Sequence, residues 1–238
     1  MTEKHMKLLV FGANGPTGRL VTQQALAEGH RVTAVTRRPD AFPVDHARLR
    51  VAGADALDPA AVDEVMAGHD RVISTLGVPY TREPVTLYSQ SARHIAAAMG
   101  RHGLRRLVCV TSIGVHPELP PEEKFFFRKV VGPILMAMGR PLYEDARRME
   151  EVVRATDLDW TIVRPSGLFD AAALSDYRVA VAPRRLPGMF TSRTDLADAL
   201  LREAVDDRHP RACIEVITTQ GTPSYTSVFL KEALHIGK

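Results

Sequence analysis

Residues 12–18, Gly-Ala-Asn-Gly-Pro-Thr-Gly, decide the fold of this 238-residue chain. The apolar stretch before them, residues 7–11 (KLLVF), predicts a buried strand, and residues 20–28 predict a helix. A glycine-rich turn between a strand and a helix directs backbone N–H groups and the positive helix end at a phosphate. A turn that binds no ligand is the alternative. The context favours dinucleotide binding, with these candidate binding residues: Gly12, Asn14, Gly15, Pro16, Thr17 and Gly18.

Apolar strands alternate with helix-length segments along the rest of the chain. Strands are predicted at 31–36, 49–52, 71–74, 106–111, 160–164 and 213–217, and helices at 59–67, 85–102, 143–156, 194–205 and 224–233. Repeated strand–helix alternation with β-branched strands indicates a parallel sheet covered on both faces by right-handed crossovers. We therefore predict an α/β fold, a doubly wound parallel Rossmann sheet, in a single domain over residues 1–238.

Two stretches, residues 114–141 and 165–191, interrupt this alternation. Each follows the carboxyl end of a predicted strand, where ligands bind in such sheets. We expect these insertions to form a small lid over the substrate. Their aromatic and methionine side chains either line a pocket for a planar substrate or simply hold the lid on the sheet. These residues are Phe125, Phe126, Phe127, Met136, Met138, Phe169, Tyr177, Met189 and Phe190.

The end of the second strand distinguishes between the two nicotinamide cofactors. An NAD site has an acidic residue there for the ribose 2′-hydroxyl, whereas this chain has Thr36-Arg37-Arg38-Pro39. Two guanidiniums suit a 2′-phosphate, since each offers forked donors and a permanent charge. A solvated basic turn is the alternative, and Asp40 could serve NAD only in a rearranged loop. The pattern favours NADP(H).

Composition narrows the class of partner. The net charge is +3, but lysine and arginine are scattered without a basic block, so we expect a small-molecule substrate and no nucleic acid. No apolar run approaches the ~20 residues that cross a bilayer, so we expect no membrane association and a cytoplasmic location. Cys109 and Cys213 lie in apolar runs that predict buried thiols, and histidine and cysteine spacings predict no metal site.

Taken in order, seven motifs resemble one family over nearly the whole chain. They are GANGPTG, TRRP after the second strand, GADALDP after the third, ISTLG after the fourth, TSIGV after the fifth, WTIVRPSGLFD after the sixth, and SRTDLADALL near the end. The chain resembles the atypical short-chain dehydrogenase/reductases, in the NAD(P)-binding NmrA-like and flavin reductase (biliverdin reductase B-like) branch.

This resemblance implies further cofactor contacts at the strand ends. They are Asp55 and Ala56 at the adenine, Thr75, Leu76 and Gly77 toward the nicotinamide ribose, Thr111 and Ser112 beside the nicotinamide, and Pro165 and Ser166 over its ring. Each has a structural alternative. Asp55 and Asp58 could cap the helix that begins at Pro59, and Ser112 could be a turn hydroxyl.

The superfamily's Tyr-x-x-x-Lys pair is absent. The chain has Tyr143 and Arg147 instead, whereas the resemblance places the pair at Leu142 and Ala146, one position away and so rotated by about 100° on an α-helix. Ser112 and Tyr143 are the candidate catalytic residues. A surface tyrosine beside an arginine-rich helix face is the alternative for Tyr143.

These patterns favour an NADP(H)-dependent oxidoreductase that transfers hydride to a small, planar or carbonyl-containing substrate. An NADP(H)-sensing regulator without turnover suits the missing tyrosine–lysine pair. An isomerase or epimerase that retains its cofactor is a third possibility, but it needs an acid/base pair that the sequence does not reveal. The sequence leaves a homodimer open.

Overall fold

The structure is a computed structural model that describes residues 5–115, 137 and 139–223. The main sheet contains β1 (Lys7–Phe11), β2 (Arg31–Thr36), β3 (Leu49–Gly53), β4 (Arg71–Ser74), β5 (Arg106–Val110), β6 (Asp159–Pro165), β8 (Arg178–Val181) and β10 (Ala212–Ile217). A small second sheet pairs β7 (Gly167–Phe169) with β9 (Phe190–Ser192). The helices described are α1 (Pro16–Ala27), α2 (Pro59–Met66), α3 (Leu87–Arg101), α4 (Arg140–Arg154) and α5 (Arg193–Asp206).

The main sheet has the order β3-β2-β1-β4-β5-β6-β10-β8. All its neighbours pair in parallel except β8, which runs antiparallel to β10 at the edge. The strand order reverses between β1 and β4, as in Rossmann sheets. The predicted doubly wound α/β fold is confirmed, with one antiparallel edge strand that the sequence did not reveal.

Alternating side chains of the strands build a separate core on each face of the sheet. On β1, Leu9 and Phe11 join the core beneath α2, α3 and α4, whereas Leu8 and Val10 join the core beneath α1 and α5. Because both faces are covered, the strands read as continuous apolar runs rather than alternating ones. These runs are the reason that the strands could be predicted from the sequence.

The sequence located most elements but not all of their ends. β1, β2 and β4 have the predicted bounds, whereas α1 begins at Pro16 rather than at Leu20. Proline is favourable in the first turn of a helix, so the helix starts within the glycine motif itself. The predicted helix at residues 224–233 lies outside the described residues.

The predicted lid segment 165–191 contains strands β7, β8 and part of β9. β8 extends the main sheet, and the rings of Phe169 and Phe190 meet edge-to-face with centroids 6.4 Å apart. The Tyr177 hydroxyl donates to Asp198 on α5 at 2.7 Å. These side chains hold the segment on the sheet, which is the structural alternative. Most of segment 114–141, with Phe125–Phe127, Met136 and Met138, lies outside the described residues.

A buried ion-pair network joins β5, β6 and α4. The Glu150 carboxylate accepts two hydrogen bonds from the Arg164 guanidinium, one from Arg154 and one from the Thr111 hydroxyl. Glu150 and Arg164 are 4% and 2% exposed, so each charge depends on the other for its solvation. The network therefore fixes the carboxyl ends of both strands against the helix.

The predicted burial of both cysteines is confirmed. Cys109 and Cys213 are free, buried thiols, and burial raises the pKa of each. In the described part of the chain, no helix is both long and apolar enough to cross a membrane.

Glu150→Ala is expected to lower the free energy of unfolding by about 3–5 kcal/mol, because it leaves the Arg164 guanidinium buried without its carboxylate. Glu151→Ala removes the next carboxylate on the same helix, which is exposed, and is expected to change that free energy by less than about 0.5 kcal/mol. Urea unfolding of both variants measures the difference. Equal values would contradict the role given to the network.

Candidate cofactor site

The glycine-rich turn joins β1 to α1 within a few residues. Gly12 has φ +73°, and its carbonyl accepts a hydrogen bond from the Gly15 N–H at 2.9 Å. Gly15 is the N-cap of α1 and supplies no side-chain cap. The first-turn N–H groups of Thr17 and Gly18 therefore have no intrahelical acceptor. A short turn thus ends in open backbone donors at the positive end of a helix.

Two of the glycines are required by close packing. A Cβ at Gly12 would lie 2.9 Å from backbone atoms of Thr75 and Leu76, and a Cβ at Gly18 would overlap the Gly12 carbonyl. The Thr75 hydroxyl lies 3.0 Å from the Phe11 carbonyl and 3.2 Å from that of Gly12. The turn after β1 is therefore locked onto the segment that follows β4.

A groove of about 310 Å³ opens over this contact, at the carboxyl ends of the strands. Its walls contain ten of the predicted cofactor residues, namely Gly12, Asn14, Gly15, Arg37, Arg38, Asp55, Ala56, Thr75, Leu76 and Gly77. They also contain Phe11, Arg19, Val35, Thr36, Ala54, Leu57 and Leu87, which the sequence did not single out for this role. Six predicted residues lie outside these walls: Pro16, Thr17, Gly18, Thr111, Pro165 and Ser166.

Three arginines line the groove. Arg37 and Arg38 are exposed at the end of β2, and neither forms an ion pair with any residue that the structure describes. Arg19 donates from Nε and a terminal nitrogen to the Asn14 side-chain oxygen at 2.9 and 2.7 Å. Sequence reasoning missed Arg19 because it lies just beyond the motif, although its place in the first turns of α1 was a usable signal.

The aspartates after β3 combine binding and structural positions. Asp58 caps α2 by accepting from the Ala60 N–H at 2.9 Å, so its structural interpretation is confirmed. Asp55 lines the groove, and its Oδ1 accepts from the Leu57 N–H at 2.9 Å. A carboxylate has further lone pairs, so Asp55 can accept other hydrogen bonds in addition to this one.

Most of the residues predicted to contact the cofactor at the ends of β5 and β6 form hydrogen bonds within the protein. Thr111 is buried and donates to Glu150, whereas the Ser112 oxygen accepts from the Gly114 N–H at 3.1 Å, as in the predicted turn. Pro165 is buried as the last residue of β6, and the Ser166 N–H donates to Thr191 at 2.9 Å. The hydroxyl hydrogen of Ser112 is not needed for its turn bond and can point elsewhere.

Tyr143 is not the surface tyrosine that the alternative interpretation expected. It is 8% exposed, and its hydroxyl lies 2.8 Å from the hydroxyl of Tyr80, which the sequence did not single out. Arg147 donates instead to the Val115 carbonyl, at 3.3 and 3.1 Å. Tyr143 is buried because α4 packs this side chain against Gly114, which follows β5, and against Tyr80, which follows β4.

A family model described as NAD(P)H-binding matches residues 12–207, from the glycine turn to the end of α5. The chain belongs to this NAD(P)H-binding family. The prediction that the chain belongs to an NAD(P)-binding family is thereby confirmed.

The NAD(P)H-binding chain is also similar to individual proteins. It is 30% identical over 158 residues to a Streptomyces griseus (4-alkanoyl-5-oxo-2,5-dihydrofuran-3-yl)methyl phosphate reductase, a match that spans 66% of this chain and 46% of the reductase. It is 24% identical to an uncharacterized sugar epimerase from Bacillus subtilis, over 92% of this chain and 96% of the epimerase. A Veillonella parvula short-chain dehydrogenase/reductase solved with NADP shares the fold, with a TM-score of 0.76 at 19% identity, over 93% of this chain and all of the other (100%).

The described part of this NAD(P)H-binding chain contains no candidate metal site. No group of three or more histidine, cysteine, aspartate or glutamate side chains in residues 5–115, 137 and 139–223 is placed to hold an ion. The charged groups on the groove walls are the guanidiniums of Arg19, Arg37 and Arg38 and the carboxylate of Asp55.

Gly12→Ala and Gly68→Ala form a matched pair of variants. Both glycines have positive φ, +73° and +79°, but a Cβ at Gly68 would meet nothing within 4 Å. Each variant is expected to lose about 1–2 kcal/mol of stability from the backbone conformation. Only Gly12→Ala also pushes apart the two loops at the groove, so we expect it to weaken NADPH binding by about tenfold or more. Titration followed by NADPH fluorescence measures this, and equal affinities for the two variants would contradict it.

Proposed function

We propose that the protein is an NADP(H)-dependent oxidoreductase that transfers hydride to a small, planar or carbonyl-containing substrate. The observation that carries this proposal is the groove at the reversal of strand order, with the start of α1 beside it and, on its walls, two arginines that form no ion pair with any described residue. In open α/β sheets this crevice is where dinucleotides bind.

The described residues fit a bound dinucleotide. The two crowded glycines remove side chains where the β1 turn meets the β4 segment, and this leaves backbone as the floor of the groove. Thr17 and Gly18 would offer N–H groups to the pyrophosphate, and Asp55 and Ala56 would face the adenine side. Leu76 and Gly77 line the wall that leads away from the adenine end. When bound, NADPH supplies a hydride.

The arginines support NADP(H) over NAD(H). Arg37 and Arg38 both line the groove, and neither forms an ion pair with a described residue that would stabilise the fold. A 2′-phosphate would satisfy both with charge-assisted hydrogen bonds. Asp55 is the only carboxylate among the groove-lining residues of the described chain, and it follows β3 rather than β2. The acidic residue expected of an NAD site is thus not among them.

The candidates for chemistry lie beyond the groove walls, at the carboxyl end of β5. Ser112 follows β5, and its free hydroxyl hydrogen would orient the substrate or the carboxamide. Tyr143 reaches the same end of the sheet from α4, with its hydroxyl on Tyr80. Thr111, Pro165 and Ser166 would shape this region through the backbone segments that they hold.

The substrate class and the domain organisation belong to the same proposal. The name of the Streptomyces griseus reductase describes an oxo-bearing dihydrofuran, a ring that carries a carbonyl group. We infer a similar chemical class here, bound in a single domain spanning residues 1–238 beneath segments 114–141 and 165–191.

Arg37→Ala combined with Arg38→Ala should weaken NADPH binding much more than NADH binding. Each lost bond between a guanidinium and a phosphate is worth about 1.5–3 kcal/mol, so the NADPH dissociation constant should rise by about 100-fold or more. Arg31→Ala removes an exposed arginine from the opposite end of β2 and is the control for loss of a guanidinium away from the groove. Equal losses for the two cofactors would contradict the assignment of the 2′-phosphate site.

Turnover is tested by following the near-ultraviolet absorbance of NADPH, which hydride loss removes, with FMN, quinones and aromatic ketones as acceptors. NADPH binding is measured in parallel by fluorescence. Oxidation of NADPH with any acceptor supports the oxidoreductase. Tight binding without oxidation across the panel contradicts it and favours the sensor, while isomerisation of a sugar nucleotide at constant NADPH absorbance would favour the epimerase.

A further inference from the structure

Two tyrosine side chains meet at the carboxyl ends of β4 and β5. The hydroxyls of Tyr80 and Tyr143 are 2.8 Å apart, and their rings meet edge-to-face with centroids 6.3 Å apart at 73°. Tyr143 is 8% exposed, whereas Tyr80 is 41% exposed. One hydroxyl is therefore held inside the protein, and its partner belongs to a side chain at the surface.

The pair lies in the half of the sheet opposite the arginines. Tyr80 follows Gly77, which lines the groove after β4, and Tyr143 packs against Gly114, which follows β5. In a doubly wound sheet each half holds one mononucleotide, and the arginines after β2 mark the adenosine half. The tyrosines therefore lie in the half that receives the nicotinamide and the substrate.

Two glycines make room for these rings. A Cβ at Gly139 would lie 2.5 Å from the Tyr143 ring and 2.6 Å from the Tyr80 ring, and a Cβ at Gly114 would overlap the Tyr143 ring. Neither glycine has positive φ, so the backbone conformation does not require them. The tyrosine pair itself excludes side chains at both positions.

The helix junction next to the pair restrains both of its members. Asp145, close to Tyr143 on α4, is fully buried and accepts from the Tyr88 N–H at 2.8 Å and the Ser89 hydroxyl at 2.6 Å, which docks α4 on the start of α3. The Tyr88 hydroxyl accepts from the Val78 N–H at 3.4 Å, on the segment that leads to Tyr80. These bonds thus hold the helix that carries Tyr143 and the segment that leads to Tyr80 on the same start of α3.

We propose that Tyr80 is the catalytic proton donor of this site and that Tyr143 is its positioning residue, an inference that rests on the proposed oxidoreductase function. Reduction of a carbonyl requires a hydride on carbon, which the cofactor supplies, and a proton on oxygen. As the carbonyl π bond breaks, its electron pair goes to the oxygen, the Tyr80 O–H bond breaks and the substrate O–H bond forms. The Tyr80 phenolate then accepts a hydrogen bond from Tyr143 until water returns the proton.

Exposure determines which hydroxyl donates. Tyr80 can contact both a substrate and the water that reprotonates it, whereas a phenolate on buried Tyr143 would lose its hydration. A hydrogen bond donated to a phenolate stabilises its charged form. Tyr143 donates this bond to the Tyr80 phenolate. Arg147 does not stabilise the phenolate in this way, since its guanidinium donates to the Val115 carbonyl.

The first test is an NMR titration of the full chain, without cofactor, labelled with carbon-13 at the tyrosine Cζ. Tyr143→Phe should move the midpoint of the Tyr80 signal to higher pH by about one unit, because the phenolate loses its donor. Tyr177→Phe removes a hydroxyl that bonds to Asp198 in another part of the fold and should leave that midpoint unchanged. An unchanged midpoint in Tyr143→Phe overturns the positioning role.

The second test compares acceptors in NADPH oxidation. Tyr80→Phe should lower kcat for aromatic ketones by about 100-fold or more, the usual contribution of a general acid, and Tyr143→Phe by about tenfold. FMN can accept hydride without a proton in the same step, so its rate should change little, as should the KM for NADPH. Full ketone reduction by Tyr80→Phe overturns the donor role while the oxidoreductase stands. No oxidation by the unaltered chain contradicts the oxidoreductase and, with it, this role.

Discussion

The groove depends on the contact between the turn after β1 and the segment after β4. These strands are neighbours, but the chain leaves β1 for α1 on one face of the sheet and leaves β4 for α3 on the other. The connections therefore diverge and open a crevice above the sheet. The two segments touch at its floor through Gly12 and Thr75, at a distance that no side chain on Gly12 would allow. Close backbone packing below thus creates the binding space above.

The charges inside the protein and the charges at the groove have different causes. Glu150 and Arg164 pair with each other because a lone buried charge would strongly destabilise the folded state. Arg106 is similarly buried, and although burial lowers its pKa, the carboxylates of Asp207 and Glu203 oppose that shift. The positions of these buried charged residues are therefore explained by their ion-pair partners. Arg37 and Arg38 have no carboxylate partner among the described residues, and in the proposed function a ligand phosphate would take that place.

Local patterns were reliable where one short stretch contains the whole cause. Apolar runs buried on both faces gave the long parallel strands, and the glycine turn gave the position of the groove. The strands β7 and β9 have three residues each, too few to produce a pattern of alternating side chains, and β8 exists because β10 offers it an edge. Pairing of this kind depends on residues distant in sequence, so the segment 165–191 could be predicted only as an interruption.

The sequence by itself determined the fold class, the glycine-rich turn at the start of α1 and the arginines after β2, because each depends on neighbouring residues and on the direction of the chain. Tertiary structure alone decided which hydroxyls remain available. It used Thr111 in an ion-pair network, placed Tyr143 inside the protein and brought Tyr80 to it from another strand end. The physical reason is that hydrogen bonds and burial are shared between distant segments, so a side chain's chemistry is set by partners that its own stretch of sequence does not contain.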